Sequence, residues 1–139
     1  MPVAQILYGG SPVALTGNTD ITLLSSAART ATVASDDQQA YFARGVLVAL
    51  VVSAVTDTPA LTLKIQGKLP SGDYYTLLEA SAAVTAAGTA IYLLHPQAGT
   101  AAGDITQVAN FPIPLNWRVQ VVAGDADSAT YAVYATVLV

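Results

Sequence analysis

The stretch Gly45–Val55 carries no charge and is apolar on both parities: Val46, Val48, Leu50 and Val52 occupy one, Leu47, Ala49, Val51 and Val55 the other. Arg44 and Asp57 bound it. A bilayer-spanning helix needs about 20 apolar residues, so this shorter run reads as a strand. With both faces apolar it must be covered twice, by layers of its own domain or by a neighbouring subunit. Beyond the turn Thr56-Asp57-Thr58-Pro59 the pattern becomes a clean alternation. Leu61, Leu63 and Ile65 point one way, and Thr62, Lys64, Gln66 and Lys68 the other, as in a strand with one wet face. The two strands are expected to pair as a hairpin.

The rest of the chain reads as strands and turns, rich in the Val, Thr, Ile and Tyr that suit a pleated surface. Strands are expected over residues 21–25, 29–34, 74–78, 89–94, 105–111, 117–123 and 129–139, with polar or Gly/Pro-containing breaks between them. Residues 80–87, rich in alanine, suit a short helix or a loop. Residues 97–104 are Gly/Ala-rich. In residues 1–18, Gly9-Gly10-Ser11-Pro12 and Thr16-Gly17-Asn18 interrupt the pattern twice, so this part reads as an extended N-terminal arm. Residues 19–139 form a single domain. About eight strands at a spacing of roughly 10 residues are the rhythm of an all-β fold. The expected architecture is an antiparallel two-sheet β-sandwich, compatible with a jelly-roll topology.

Charged residues make up only 10% of the 139-residue chain, against about 25% in an ordinary soluble domain. A surface wetted by Thr, Ser, Gln and Asn rather than by charges dries at little desolvation cost. Interface cores show the same depletion. The exterior is therefore expected to be shared with other copies or partners. Candidate contact residues are Val3, Ile6, Leu7 and Tyr8 in the arm and Leu47 and Val51 on the doubly apolar strand. Five Lys and Arg against nine acidic residues argue against a nucleic-acid partner. The start Met1-Pro2-Val3-Ala4-Gln5 has no basic stretch leading an apolar one, so no export signal and no membrane partner are expected. The absence of cysteine excludes disulfides and fits a reducing cytoplasm.

Catalytic chemistry finds few residues to use. The single histidine, His95, stands before a proline, and no Gly-x-Ser-x-Gly elbow occurs. Zinc needs several His or Cys ligands. Asp125 and Asp127 could supply two oxygens to calcium, but they equally suit a turn that bonds its own backbone. Glu79 is the only glutamate. No phosphate-binding Gly-rich loop occurs. Tyr74, Tyr75, Tyr92, Trp117, Tyr131 and Tyr134 could form a sugar-stacking platform, although Trp117 alternates in phase with Val119 and Val121 and so belongs to the core. The reading is a non-enzyme with no catalytic, cofactor or metal site.

Three segments carry a resemblance. The first is Ala28-Arg29-Thr30 before a polar loop, then Arg44-Gly45-Val46. The second is Thr58-Pro59-Ala60-Leu61-Thr62-Leu63-Lys64-Ile65-Gln66-Gly67-Lys68 followed by Ser71-Gly72-Asp73-Tyr74-Tyr75-Thr76-Leu77-Leu78. The third is Asn116-Trp117-Arg118-Val119 with Asp125-Ala126-Asp127-Ser128-Ala129-Thr130-Tyr131. Over residues 28–139 the chain resembles a group of small virion proteins of tailed bacteriophages, which includes capsid-decoration and minor structural proteins. Where that group often continues Thr-Tyr-Ser-Val, this chain has Thr130-Tyr131-Ala132-Val133. The resemblance implies a β-rich decoration protein, often trimeric, made in the host cytoplasm and bound to the major capsid protein on the outside of the head. A tail or head–tail connector component is the alternative within that class, and a carbohydrate-binding β-sandwich module the alternative outside it.

Overall fold

The computed structural model describes residues 4–8, 11–15 and 17–139, the first two of these segments by backbone alone. Its strands in chain order are β1 (Ala4–Tyr8), β2 (Ser11–Leu15), β3 (Thr19–Arg29), β4 (Val33–Ala34), β5 (Gln38–Gln39) and β6 (Gly45–Val55). They continue with β7 (Leu61–Lys68), β8 (Tyr74–Glu79), β9 (Gly88–Leu94), β10 (Ile105–Ala109), β11 (Asn116–Ala123) and β12 (Ala129–Leu138). No helix occurs among the described residues. Residues 80–87 take the loop alternative, held where Val84 and Leu61 exchange backbone hydrogen bonds of 2.8 and 3.0 Å.

The pairing follows one rule. β7 pairs with β8, β6 with β9, β4 and β5 with β11, and β3 with β12, all antiparallel. The chain is thus one long hairpin rolled into two layers. One sheet has the order β10-β9-β6-β12-β3; the other has β4-β11-β7-β8, with β5 also on β11. This is the strand order of a jelly roll.

Two expectations are corrected. β6 and β7 do not form a hairpin; they lie in opposite sheets. Residues 56–60 cross between the layers beside residues 124–128, tied by Thr56 N–H to Ser128 O and Gly124 N–H to Ala60 O, each 2.8 Å. The fold is also not wholly antiparallel, because β10 runs parallel to β9, with Ala109 opposite Leu94. Residues 95–104 carry the chain back along the sandwich before β10 begins, so β10 must run in β9's direction.

Inward-facing side chains of both sheets form the core. Val46, Val48, Leu50 and Val52 from β6 meet Leu61, Leu63 and Ile65 from β7, with Trp117, Val119 and Val121 from β11 and Tyr131, Val133, Ala135 and Val137 from β12. Each large aliphatic side chain buried here contributes about 1.5–3 kcal/mol. Trp117 Nε1 and the Tyr131 hydroxyl have no hydrogen-bond partner among the described residues. The Tyr131 ring instead receives the Arg29 guanidinium 4.7 Å from its centroid, while Arg29 Nη1 donates to Tyr131 O at 2.7 Å.

Glycine matters at two close approaches. A Cβ on Gly67 would run into the Tyr75 ring, which lies across it from the opposing position on β8. A Cβ on Gly45 would meet Leu94 O and the His95 side chain. The first part of the chain, read as an arm, contains the ladder of β1 with β2, in which Ile6 lies opposite Val13. Among the described residues these two strands form a sheet of their own.

Candidate assembly surface

The outer face of the β10-β9-β6-β12-β3 sheet has an unusual chemistry. Cross-strand register places Leu93, Leu47, Thr136 and Asp20 in one row across β9, β6, β12 and β3. Ile91, Ala49, Tyr134 and Thr22 form the next row. Leu47, Ala49, Ile91 and Leu93 are half-buried, and Tyr134 is 43% exposed. The one carboxylate in these two rows, Asp20, sits on the edge strand and accepts a 2.7 Å hydrogen bond from Thr136 Oγ1. Where the small Ala49 lies between Leu47 and Tyr134, the sheet dips into a groove of about 290 Å³, lined also by Asp20, Thr22 and Thr136.

The outer face of the second sheet is the opposite. Lys68 Nζ lies 2.8 Å from Asp37 Oδ2, and the Tyr74 hydroxyl donates to Asp37 Oδ1 at 2.8 Å. Arg118 stacks 3.5 Å from the Tyr74 ring centroid and its Nε donates to Gln66 Oε1 at 2.9 Å. Lys64 faces Glu79 at 3.8 Å. The hydrogen bond from Lys68, followed by that from Tyr74, holds the Asp37 carboxyl below its ordinary range, and the bond to Asp37 raises Lys68. This face carries three of the five Lys and Arg residues of the chain. A charged ladder of this kind is at home in water, whereas drying the face bearing Leu47 meets a single carboxylate, Asp20, at its edge.

The residues singled out from sequence scatter. Leu47 and Val51 both lie on the apolar face, half-buried, so β6 is closed by the core on one side and left open on the other. Val3 is outside the described residues; Ile6, Leu7 and Tyr8 lie on β1. Sequence reading names Tyr134 only as a candidate sugar-stacking ring, and it misses Ile91 and Leu93. Their signal was present in β9, which like β6 is apolar on both parities, Ile91 and Leu93 against Tyr92 and Leu94.

The remaining candidates have local explanations. His95 packs on Gly45 and its Nδ1 accepts the Gln97 N–H at 3.0 Å. Asp125 Oδ1 accepts from Asp127 N–H at 3.1 Å, and Asp127 Oδ2 from Thr58 N–H at 3.2 Å, as in a self-bonded turn. Among the described residues no group of three His, Cys, Asp or Glu side chains could hold a metal ion. Trp117, Tyr92 and Tyr131 are buried, Tyr74 lies beneath Arg118, and the exposed Tyr75 and Tyr134 belong to different sheets. These rings do not share a platform. Among the described residues no helix is long and apolar enough to cross a membrane.

No protein-family model matches the chain, and no curated protein sequence does. Solved structures do. A chain in the structure of infectious bursal disease virus, Gt strain, superposes with a TM-score of 0.50 at 14% identity, over 99% of this chain and 38% of that one. The Gx strain gives 0.49 at 14%, with 99% and 37% covered. The T13 particle of the same virus gives 0.48 at 15%, with 99% and 36% covered. This chain thus spans well under half the length of the chains it matches, and at such identity the likeness is one of fold: a jelly-roll β-sandwich.

Proposed function

We propose that this protein is a non-catalytic structural component of a virus particle, assembling with copies of itself through the nearly uncharged outer face of the sheet that contains β6. The observation that carries this reading is that face: rows of Leu, Ile, Ala and Tyr across four neighbouring strands, with their one carboxylate at the edge and already bonded. The jelly roll shared with a chain of the infectious bursal disease virus structure supports the viral setting. The segments resembling small virion proteins of tailed bacteriophages support a finer form of it, a decoration protein on the outside of a phage head. There it would form homo-oligomers, expected to be trimers, and clamp the major capsid protein. Many copies of a modest contact add up through multivalency. A tail or head–tail connector component uses the same chemistry in a closed ring of higher order.

Replacing Leu47 or Ile91 by Glu tests the proposal directly. Both side chains are half-exposed, so the variants should fold with unchanged circular dichroism. Each buries a carboxylate in the contact, and association measured by native mass spectrometry should weaken by at least about tenfold, or 1.4 kcal/mol. Binding to emptied phage heads should fall in parallel, and the oligomer order separates a trimer from a connector ring. A wild-type protein that stays monomeric at high concentration and ignores heads would sink the reading.

A further inference from the structure

Among the described residues, the seven large hydrophobic side chains most exposed to solvent are not spread evenly: all but Tyr134 gather at one end of the sandwich. Register and loop hydrogen bonds define that end. Gly67, the partner of Tyr75, lies opposite Trp117 near the start of β11, and Leu69 follows β7 there. Ala40 N–H bonds Leu115 O at 2.8 Å and Ile113 N–H bonds Arg44 O at 3.0 Å, which brackets Phe42, Phe111 and Leu115 together. Arg44 N–H bonds Leu138 O at 2.8 Å, bringing in Val139. Phe42 is 65% exposed and sits at φ 60, a left-handed conformation that a bulky side chain rarely adopts. Strained backbone of this kind tends to mark sites of contact. In the loops 40–44, 69–73 and 110–115, the only Lys, Arg, Asp or Glu residues are Arg44 and Asp73.

The N-terminal part of the chain enters at this same end. Thr19 at the start of β3 lies opposite Val137, and Asn18 Oδ1 accepts the Val139 N–H at 3.1 Å. β3 is the edge strand of its sheet and begins at this end, so the chain that precedes it joins the sandwich here. Residues 1–19 contain no Lys, Arg, Asp or Glu. β1 and β2 pair with each other and, among the described residues, with no strand of the sandwich. A lone two-stranded ladder is marginal in water and needs a surface to lie on. A strand of this length extends about 17 Å, enough to cross the roughly 10 Å between the two sheets at the sandwich end.

We infer that the apolar end formed by Phe42, Leu69, Tyr75, Phe111, Leu115 and Val139 is a docking surface for the N-terminal ladder, residues 4–15, of a second copy. The occupant follows from chemistry and position: an uncharged β-forming segment joins each copy at the rim of an apolar patch whose loops carry only Arg44 and Asp73. Exchange of such a segment between identical chains is a known low-cost route to oligomers. The inference rests on the reading that copies associate, and adds a second contact, distinct from the sheet face.

The lack of cysteine permits a clean test in the full-length chain. One preparation carries Leu7→Cys and a second, differently tagged, carries Leu115→Cys; they are mixed at a concentration where native mass spectrometry shows assembly, and oxidised. The expected product is a disulfide-linked pair containing both tags, reduced at least severalfold when Thr76→Cys, on the charged sheet, replaces Leu115→Cys. Assembled samples without that link would overturn the docking surface and leave the sheet-face contact standing. So would a third preparation, carrying both Leu7→Cys and Leu115→Cys in one chain, that links only within single chains. Samples that stay monomeric would overturn both.

Discussion

Asp37 shows how one residue ties distant parts of the chain together. Its carboxylate takes hydrogen bonds from Lys68 and Tyr74, which belong to β7 and β8, while Asp37 lies just before β5. Its folded pKa is lowered from the ordinary 3.8, so the stabilisation is fully present above that value and is lost as pH falls through the folded one. Lys68 is raised from 10.5, so its contribution is complete below that pH and disappears as pH rises through the folded value. The acid limb of stability should therefore flatten in Asp37→Asn. Denaturant unfolding at a series of pH values below about 4 reads this; identical limbs in the variant and the parent would reject it. In the sequence Asp37 was merely part of a polar loop, because nothing in a one-dimensional pattern says which lysine it will meet.

At the level of elements, β6 is the informative strand, since its two faces have different work. Leu50 is fully buried in the core and Leu47 is half-buried on the outer face. Leu50→Ala should cost about 2–5 kcal/mol of stability at any protein concentration, because it leaves a cavity. Leu47→Ala should cost the monomer clearly less and should instead lower the apparent melting temperature through weaker association, an effect that grows with protein concentration. Thermal unfolding of both variants over a range of concentrations distinguishes them; equal, concentration-independent losses would mean that Leu47 only stabilises its own fold. Apolar residues on both parities marked β6 as doubly covered without saying by what. β9 carries the same mark, in Ile91 and Leu93, and the two strands turn out to be neighbours in one sheet.

For the whole molecule, the separation of chemistry between the two sheets is the main result. Three of the five cations lie on one outer face in bonded pairs, and the opposing outer face is nearly uncharged. Screening weakens exposed ion pairs and leaves apolar contacts intact. Self-association should therefore persist when salt is raised from about 0.05 M to about 0.5 M, well past the range in which surface charges are screened. Sedimentation velocity at the two ionic strengths checks this; dissociation at the higher one would place the contact on the Lys68–Asp37 face instead.

The sequence by itself determined the all-β character, the inward positions of β7 and β11, and the poverty of charge. These are local or additive properties, set by period-two alternation and composition. It did not determine the sheet in which a strand would lie. A five-residue connection such as 56–60 can close a hairpin or cross between layers, and only pairing across the whole hairpin, β3 with β12 and β4 and β5 with β11, selects the crossing. The same non-local pairing brought Phe42, Leu69, Phe111 and Leu115 to one end and Leu47, Leu93 and Tyr134 onto one face. A surface is a property of contacts far apart in the chain, and tertiary structure alone assembles it.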